Sequence, residues 1–325
     1  MGEGEGKSVF GGGRRIVITG ASGFIGSHLV PALLHYHHEV ACILEPGVGN
    51  AARGAQVFEG DIVTGAEISK AFAGADAVVH LAARNHVVKE TAKDPLAEYR
   101  RVNVEGTLNV VRAATSSGVK CIVHLSSVKA IGEESDIVLD EGSPCTPKTP
   151  YGISKLESEE VLRTEATRAC MRAVILRLPM AYGPRNKGNL PRMIRWAERG
   201  LPFPLFQPDN LRSMIYVENV VAGIVAVLKN PPAGVSTYIL KDIEDHSTRV
   251  VYSAICEELG KKPHFLKVPT AMTKLGGILS DDIRKLSSSF RVSSAKIERE
   301  TGFIPPVSFE EGISRTVRWY KDSVH

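Results

Sequence analysis

Residues 14–26, RRIVITGASGFIG, decide the fold. Arg14 to Thr19 form a short β-branched run that ends at a glycine, the pattern of a parallel strand buried on both faces. Beyond the turn, Ile25, Leu29, Leu33 and Leu34 recur at helical spacing. Glycines between such a strand and such a helix permit a tight turn and let the backbone approach a pyrophosphate, which rests on the positive end of the helix. The stretch therefore predicts a dinucleotide site at Gly20, Gly23 and Gly26, with Phe24 and Ile25 between the last two glycines.

Outward from this stretch, EVACILE reads as a second strand ending in Glu45, about where a carboxylate accepts ribose hydroxyls and repels a 2′-phosphate. NAD is expected over NADP, with Arg53 close enough in sequence to keep NADP possible. In EGDIVT, Asp61, followed by Ile62, either meets the adenine or caps a turn. Further apolar runs follow at ADAVVHLAA, KCIVHLSS and RAVILRLP, with the helix-patterned RVNVEGTLNVVRAATSSG between the first two. Strands alternating with helices predict an α/β fold, a Rossmann-like doubly wound parallel sheet. After Pro184 the texture turns rich in Pro, Gly and Arg, as expected of a smaller C-terminal substrate-binding domain. The expected organisation is a disordered tail over 1–13, a dinucleotide-binding domain over 14–183 with 213–245 returning to it, and a second domain over 184–212 and 246–325.

At 325 residues the chain is long enough for two cores, and 43% hydrophobic with 23% charged residues is ordinary for a globular protein. A net charge of +4 without a basic block gives nothing that would track a phosphate backbone, so nucleic acid is not an expected partner. Five cysteines without C-x-x-C spacing argue against zinc and against a disulfide framework, and point to the cytoplasm. No run of about 18 apolar residues is present to span a bilayer.

In PYGISK, Tyr151 and Lys155 stand four apart, so a helix brings phenol and ammonium onto one face. Upstream, HLSSVKAIG ends an apolar run with Ser126 and Ser127, where ligands bind outside the carboxyl ends of parallel strands. Glycine triplet, strand-end serine and Y-x-x-x-K, in this order, resemble the short-chain dehydrogenase/reductase superfamily. With HLAA, NVEGTLNV, LRLPMAYGP and RSMIYVENV, the chain is similar to its extended, nucleotide-sugar-modifying branch, from Arg14 nearly to the end.

The resemblance implies Tyr151 as the acid/base at a substrate hydroxyl or carbonyl, Lys155 as the cation that binds the nicotinamide ribose and lowers the phenol pKa, and Ser127 as a hydrogen-bond partner of the same substrate oxygen. It implies Asn103 as a support from the preceding helix. Leu81, Ala82, Ala83 and Pro179 are implied on the cofactor side. Arg84, Asn189, Arg192 and Arg212 are implied on the substrate side, Arg212 with a diphosphate in its planar fork. A homodimer through the helix of Tyr151 and the helix before it is also implied. Relatives that dehydrate sugars carry an Asp-Glu pair after the strand-end Ser/Thr, whereas this chain has Val128-Lys129. Two other departures are Met180, where sugar epimerases of the best-known type have Asn, and the late phosphate-binding arginine, for which Arg291 is the candidate. The expectation is NAD(P)-dependent chemistry at the fourth carbon of a nucleotide-linked hexose, by a UDP-hexose or UDP-N-acetylhexosamine 4-epimerase or a UDP-4-keto-6-deoxy-hexosamine reductase, with no metal.

Overall fold

The computed structural model describes residues 13–48, 53–85, 92–205, 210–267 and 288–324. All but the last residue of the expected tail lies outside them. The chain divides into two compact units, one of residues 1–132, 144–177 and 223–238, the other of 133–143, 178–222 and 239–325.

Strands are numbered along the whole chain. In the first unit, β1 (Arg15–Thr19), β2 (Glu39–Leu44), β3 (Gln56–Glu59), β4 (Ala77–His80), β5 (Cys121–Ser127), β7 (Arg172–Leu178) and β11 (Val235–Ile239) form one sheet. Its order is β11-β7-β5-β4-β1-β2-β3. The pairs from β3 to β5 are parallel. The strand order turns back on itself between β1 and β4, the position at which doubly wound sheets open a crevice for a dinucleotide. The edge strands β3 and β11 were not anticipated from sequence; β3 has an exposed, polar-flanked sequence, QVFE, without the apolar run that marks its neighbours.

Helices α1 (Gly26–His35), α2 (Pro95–Arg100), α3 (Gly106–Ser116) and α4 (Pro150–Arg168) belong to the same unit. Asp94 caps α2 by accepting from Ala97 N at 3.1 Å, with Pro95 in the first turn. Thr149 and Pro150 start α4 in the same way, Thr149 Oγ1 accepting from Gly152 N at 3.1 Å. A capping hydroxyl followed by proline defines a helix start without help from packing. Between α2 and α3 the chain stays helical but widens to a π-helical turn over Arg101–Glu105.

Val17 of β1, Val78 of β4 and Ile122 of β5 pack with Val110, Val111 and Ala114 of α3 and with Leu162 and Ala166 of α4 in one buried cluster. Complete burial of a Val, Ile or Leu contributes roughly 1.5–3 kcal/mol, so this cluster sets the positions of α3 and α4 on the sheet.

The second unit holds β6 (Val138–Leu139), β8 (Met180–Tyr182), β9 (Phe203–Leu205), β10 (Arg212–Tyr216), β12 (Asp245–His246), β13 (Phe265–Lys267) and β14 (Arg291–Val292). They pair as β12-β10-β8, β13-β9 and β14-β6. Helix α5 (Asn189–Glu198) packs with α7 (Thr248–Glu258), and α7 with the helix Phe309–Val324. Helix α6 (Val217–Lys229) passes from the second unit into the first. Asp242 holds the second unit's β10–α6 junction: its carboxylate accepts from Tyr216 N at 3.0 Å and from Asn219 Nδ2 at 2.7 Å. Among the described residues no helix is long and apolar enough to cross a membrane, and no group of His, Cys, Asp and Glu could hold a metal ion.

Candidate active site

Gly20 has φ +72°, and a Cβ there would lie 2.6 Å from Ala82 N and 2.9 Å from Leu81 C. Its missing side chain is what lets the β1 turn lie against the segment leaving β4. Gly23 differs: a Cβ there would meet only Gly20 O, at 3.1 Å. That leaves the outer side of the turn open at the beginning of α1, which has no side-chain cap and no acidic residue in its first turn. Uncapped N–H groups at a helix start, beside a turn stripped of side chains, form an anion cradle that suits a pyrophosphate. Phe24 and Ile25 are half-buried in this turn. Leu81, Ala82 and Ala83 leave β4 beside it, Leu81 N donating to Thr19 O at 3.1 Å. Glu45 directly follows β2 and is exposed. The buried Ile62 follows Asp61, whose carboxylate accepts from Val63 N at 2.8 Å and from Thr64 Oγ1 at 3.1 Å. Asp61 is thus a turn cap in this structure.

Tyr151 occupies the first turn of α4, which Thr149 and Pro150 pin in place. Its phenol is hydrogen-bonded to the Ser127 hydroxyl at the end of β5. Ser126 turns the other way and donates to Glu159 Oε1. Of the two strand-end serines, the structure brings Ser127 to the tyrosine. Desolvation pushes the phenol up to about 12; the Ser127 hydrogen bond works against this, and Tyr99, packed edge-on at 6.0 Å, adds to it. The sequence reading expected a lowered phenol pKa. The direction is reversed because desolvation dominates. The Lys155 ammonium donates to Leu125 O at 2.6 Å. Burial brings Lys155 itself down to about 8, with Glu159 opposing.

Asn103 lies in the π-helical turn and is buried. Its Oδ1 accepts from Arg84 N at 2.7 Å, while Nδ2 donates to Arg84 O at 3.1 Å and to Ser154 Oγ at 2.9 Å. One amide thus joins the segment after β4 to α4, one helical position before Lys155. π-helical turns inside α-helices occur often at functional sites, and here the widened turn carries the residue that links the two segments. The Arg84 guanidinium sits over the Tyr99 ring at 5.3 Å, and the Lys129 ammonium over the Tyr151 ring at 5.8 Å.

Sequence reasoning missed a polar row behind these groups. Register places Thr19 beside His80 and His80 beside His124, side by side on β1, β4 and β5. His80 bonds Thr19 Oγ1 at 2.7 Å and Thr107 Oγ1 at 3.0 Å, and stacks on His124 at 5.1 Å. The legible signal was there: VVHL and IVHL put a histidine at the same place in two apolar strands. Two residues further along β5, Ser126 meets Glu159, which forms a buried, two-pronged pair with Arg177 at 2.7 and 3.0 Å.

Of the residues expected on the substrate side, Arg84 lies in the first unit and Asn189, Arg192 and Arg212 in the second. Arg212 opens β10, half-buried, with Nη1 donating to Ser288 O at 2.7 Å; desolvation holds its guanidinium below the usual range. Asn189 is the first residue of α5. Arg192 is exposed on α5, off the face formed by Leu190, Met193, Ile194 and Ala197. Pro179 is buried between β7 and β8, and Arg291 opens β14.

Residues 16–240 match the model of the NAD dependent epimerase/dehydratase family. The UDP-glucose 4-epimerase of Vibrio cholerae is 32% identical over 316 residues, covering 94% of this chain and 95% of that one. An Escherichia coli O157:H7 protein, N-acetyl-alpha-D-glucosaminyl-diphospho-ditrans,octacis-undecaprenol 4-epimerase, is 28% identical over 333 residues and 94% of each chain. Among solved structures, the dTDP-glucose 4,6-dehydratase of Streptomyces venezuelae with NAD and TYD bound superposes with a TM-score of 0.79 at 28% identity, over 95% of this chain and 97% of that one. With the glycine cradle, the Ser127–Tyr151 pair and Lys155 assembled on a doubly wound sheet, the family match has its physical counterpart, and the chain belongs to the NAD-dependent epimerase/dehydratase family.

Proposed function

We propose that the chain is a 4-epimerase of a UDP-linked hexose or N-acetylhexosamine. The observation that carries this reading is the Tyr151–Ser127 hydrogen bond at a strand end followed by Val128-Lys129. A phenol and a hydroxyl there suit removal and return of one proton at one substrate oxygen. Elimination across a neighbouring carbon needs a further acid and base, and the chain has no Asp-Glu pair after Ser127 to supply them. The similarity to the Vibrio cholerae 4-epimerase supports the same reaction.

The turn of Gly20, Gly23 and Gly26, the α1 start and the ends of β2 and β4 suit NAD, with Glu45 placed to accept ribose hydroxyls. Held there, NAD would supply the hydride acceptor and donor that epimerisation at the fourth carbon needs. Tyr151 takes the proton of the 4-hydroxyl and later returns it. Ser127 bonds the same oxygen and keeps it in line with the phenol. Lys155, held by Leu125 O, supplies the positive charge that favours phenolate once the site is filled. Arg212 and Asn189 would hold the diphosphate and Arg192 its rim, and the active form would be a homodimer through α3 and α4.

The test is incubation of purified chain with UDP-glucose, UDP-N-acetylglucosamine and a UDP-4-keto-6-deoxy sugar, with and without NAD(P)H, read by NMR and by nicotinamide absorbance. Epimer formed without net absorbance change supports the proposal. Consumption of reduced cofactor with the keto sugar alone would replace it by a 4-ketoreductase, and no turnover of any of the three would overturn it.

A further inference from the structure

β5 carries an imidazole, His124, between Ile122 and Ser126 on the face that meets α4. Placing an imidazole inside a core costs free energy unless its nitrogens find partners. Nδ1 has none among the described residues. Nε2 faces two groups, Ser158 Oγ at 3.1 Å and Lys155 Nζ at 3.4 Å. The single hydrogen of Ser158 Oγ has two acceptors within reach, Lys155 O at 2.8 Å and, where the ring carries no proton there, Nε2. An ammonium carries three hydrogens and no acceptor. Leu125 O takes one, and among the described residues the other hydrogen-bond partner of Nζ is His124 Nε2.

We infer that His124 is a positioning residue for Lys155: its neutral ring accepts, through Nε2, a second hydrogen of the ammonium, so that the third is directed away from β5. The inference rests on the reading of Lys155 as the working cation beside Tyr151. His80 wedges the ring from behind by stacking on it, and is itself held at both nitrogens by Thr19 and Thr107. Desolvation, with Lys155 adding to it, holds His124 well below the ordinary imidazole range and brings His80 down to about 3, so both rings stay neutral and able to accept. The titratable groups around Nζ are His124 on β5, His80 behind it on β4, and Glu159 and Tyr151 on α4. Glu159 favours the ammonium, and an accepting Nε2 works in the same direction.

The experiment is NMR of the full chain without substrate, so its outcome does not depend on the proposed reaction. Lysine labelled with 13C at Cε, with Lys155 assigned by its loss in Lys155→Met, is titrated in wild type, His124→Phe and His124→Gln. His124→Phe keeps a flat ring but removes the acceptor, and is expected to lower the Lys155 midpoint by about one unit. His124→Gln retains an acceptor and is expected to stay within a few tenths of wild type, on the same scale of shifts. An unmoved midpoint in His124→Phe, or equal shifts in both variants, overturns the inference. A second readout needs no variant: long-range 1H–15N spectra of wild type should show His124 protonated at Nδ1, and protonation at Nε2 overturns the inference.

Discussion

Glu159 and Arg177 form an ion pair whose side chains are only 1% and 4% exposed, and the same carboxylate takes the Ser126 hydroxyl, one residue before Ser127. A pair this deep has lost its hydration on both sides, so its worth lies in being complete. Removing one partner leaves a naked buried charge. Arg177→Met should cost about 3–5 kcal/mol of unfolding free energy, read by urea titration, whereas Glu159→Leu with Arg177→Met should cost clearly less.

Tyr151→Phe should leave the fold intact and reduce turnover by roughly 10²–10⁴-fold, the range of a lost general acid/base. In the ligand-free chain, the difference in phenolate absorbance between wild type and this variant should titrate near 12, above free tyrosine, because the hydroxyl is desolvated.

Lys155 gives the stability a pH dependence of known sign. Its pKa is about 8 in the folded chain against an ordinary 10.5. Between these values the unfolded chain holds more protons, so unfolding free energy rises with pH. Relative to Lys155→Met, wild type should gain up to about 3.4 kcal/mol between pH 8 and 10.5, at about 1.36 kcal/mol for each pH unit between the two values. Thermal or denaturant melts of both proteins at matched pH values check this.

Gly20→Ala and Gly23→Ala should separate folding from cofactor binding. The first places a methyl group against Ala82 N at positive φ and should destabilise the fold by about 1–3 kcal/mol. The second meets only Gly20 O, and should keep the melting temperature within about a degree or two while weakening NAD binding at least about tenfold in calorimetry.

Arg212→Met should weaken UDP binding by about tenfold to a hundredfold, the worth of a charge-assisted contact, with NAD affinity unchanged. Equal loss of both affinities would count against a role in diphosphate binding.

The strands β1, β2, β4, β5 and β7 were legible because each is an apolar run, β1 ending at Gly20 and β5 at Ser126-Ser127. The edge strands β3 and β11 were not, since an edge needs only one neighbour and tolerates exposed polar residues. Within the site, Ser127 and Tyr151 were readable as a motif and the histidines of VVHL and IVHL as a matched pair of positions, but the contacts of His80 with His124 and of Glu159 with Arg177 were not. Their meeting depends on strand register and on where α4 crosses the sheet, and no local spacing encodes either. The direction of the Tyr151 shift was missed for a related reason: the depth of the hydroxyl is a tertiary fact.

The widened turn at Arg101–Glu105 puts the residues before and after it out of helical phase by one position. Loss of a single residue there would restore an ordinary helix and rotate everything upstream by about 100° relative to α3. Asn103 would then leave Arg84 and Ser154 while the hydrophobic pattern of α3 stayed in place. In this stretch of chain length is itself a functional variable: a variant with an unchanged core composition and one residue fewer between Tyr99 and Gly106 should fold, and should lack the amide clasp beside Lys155.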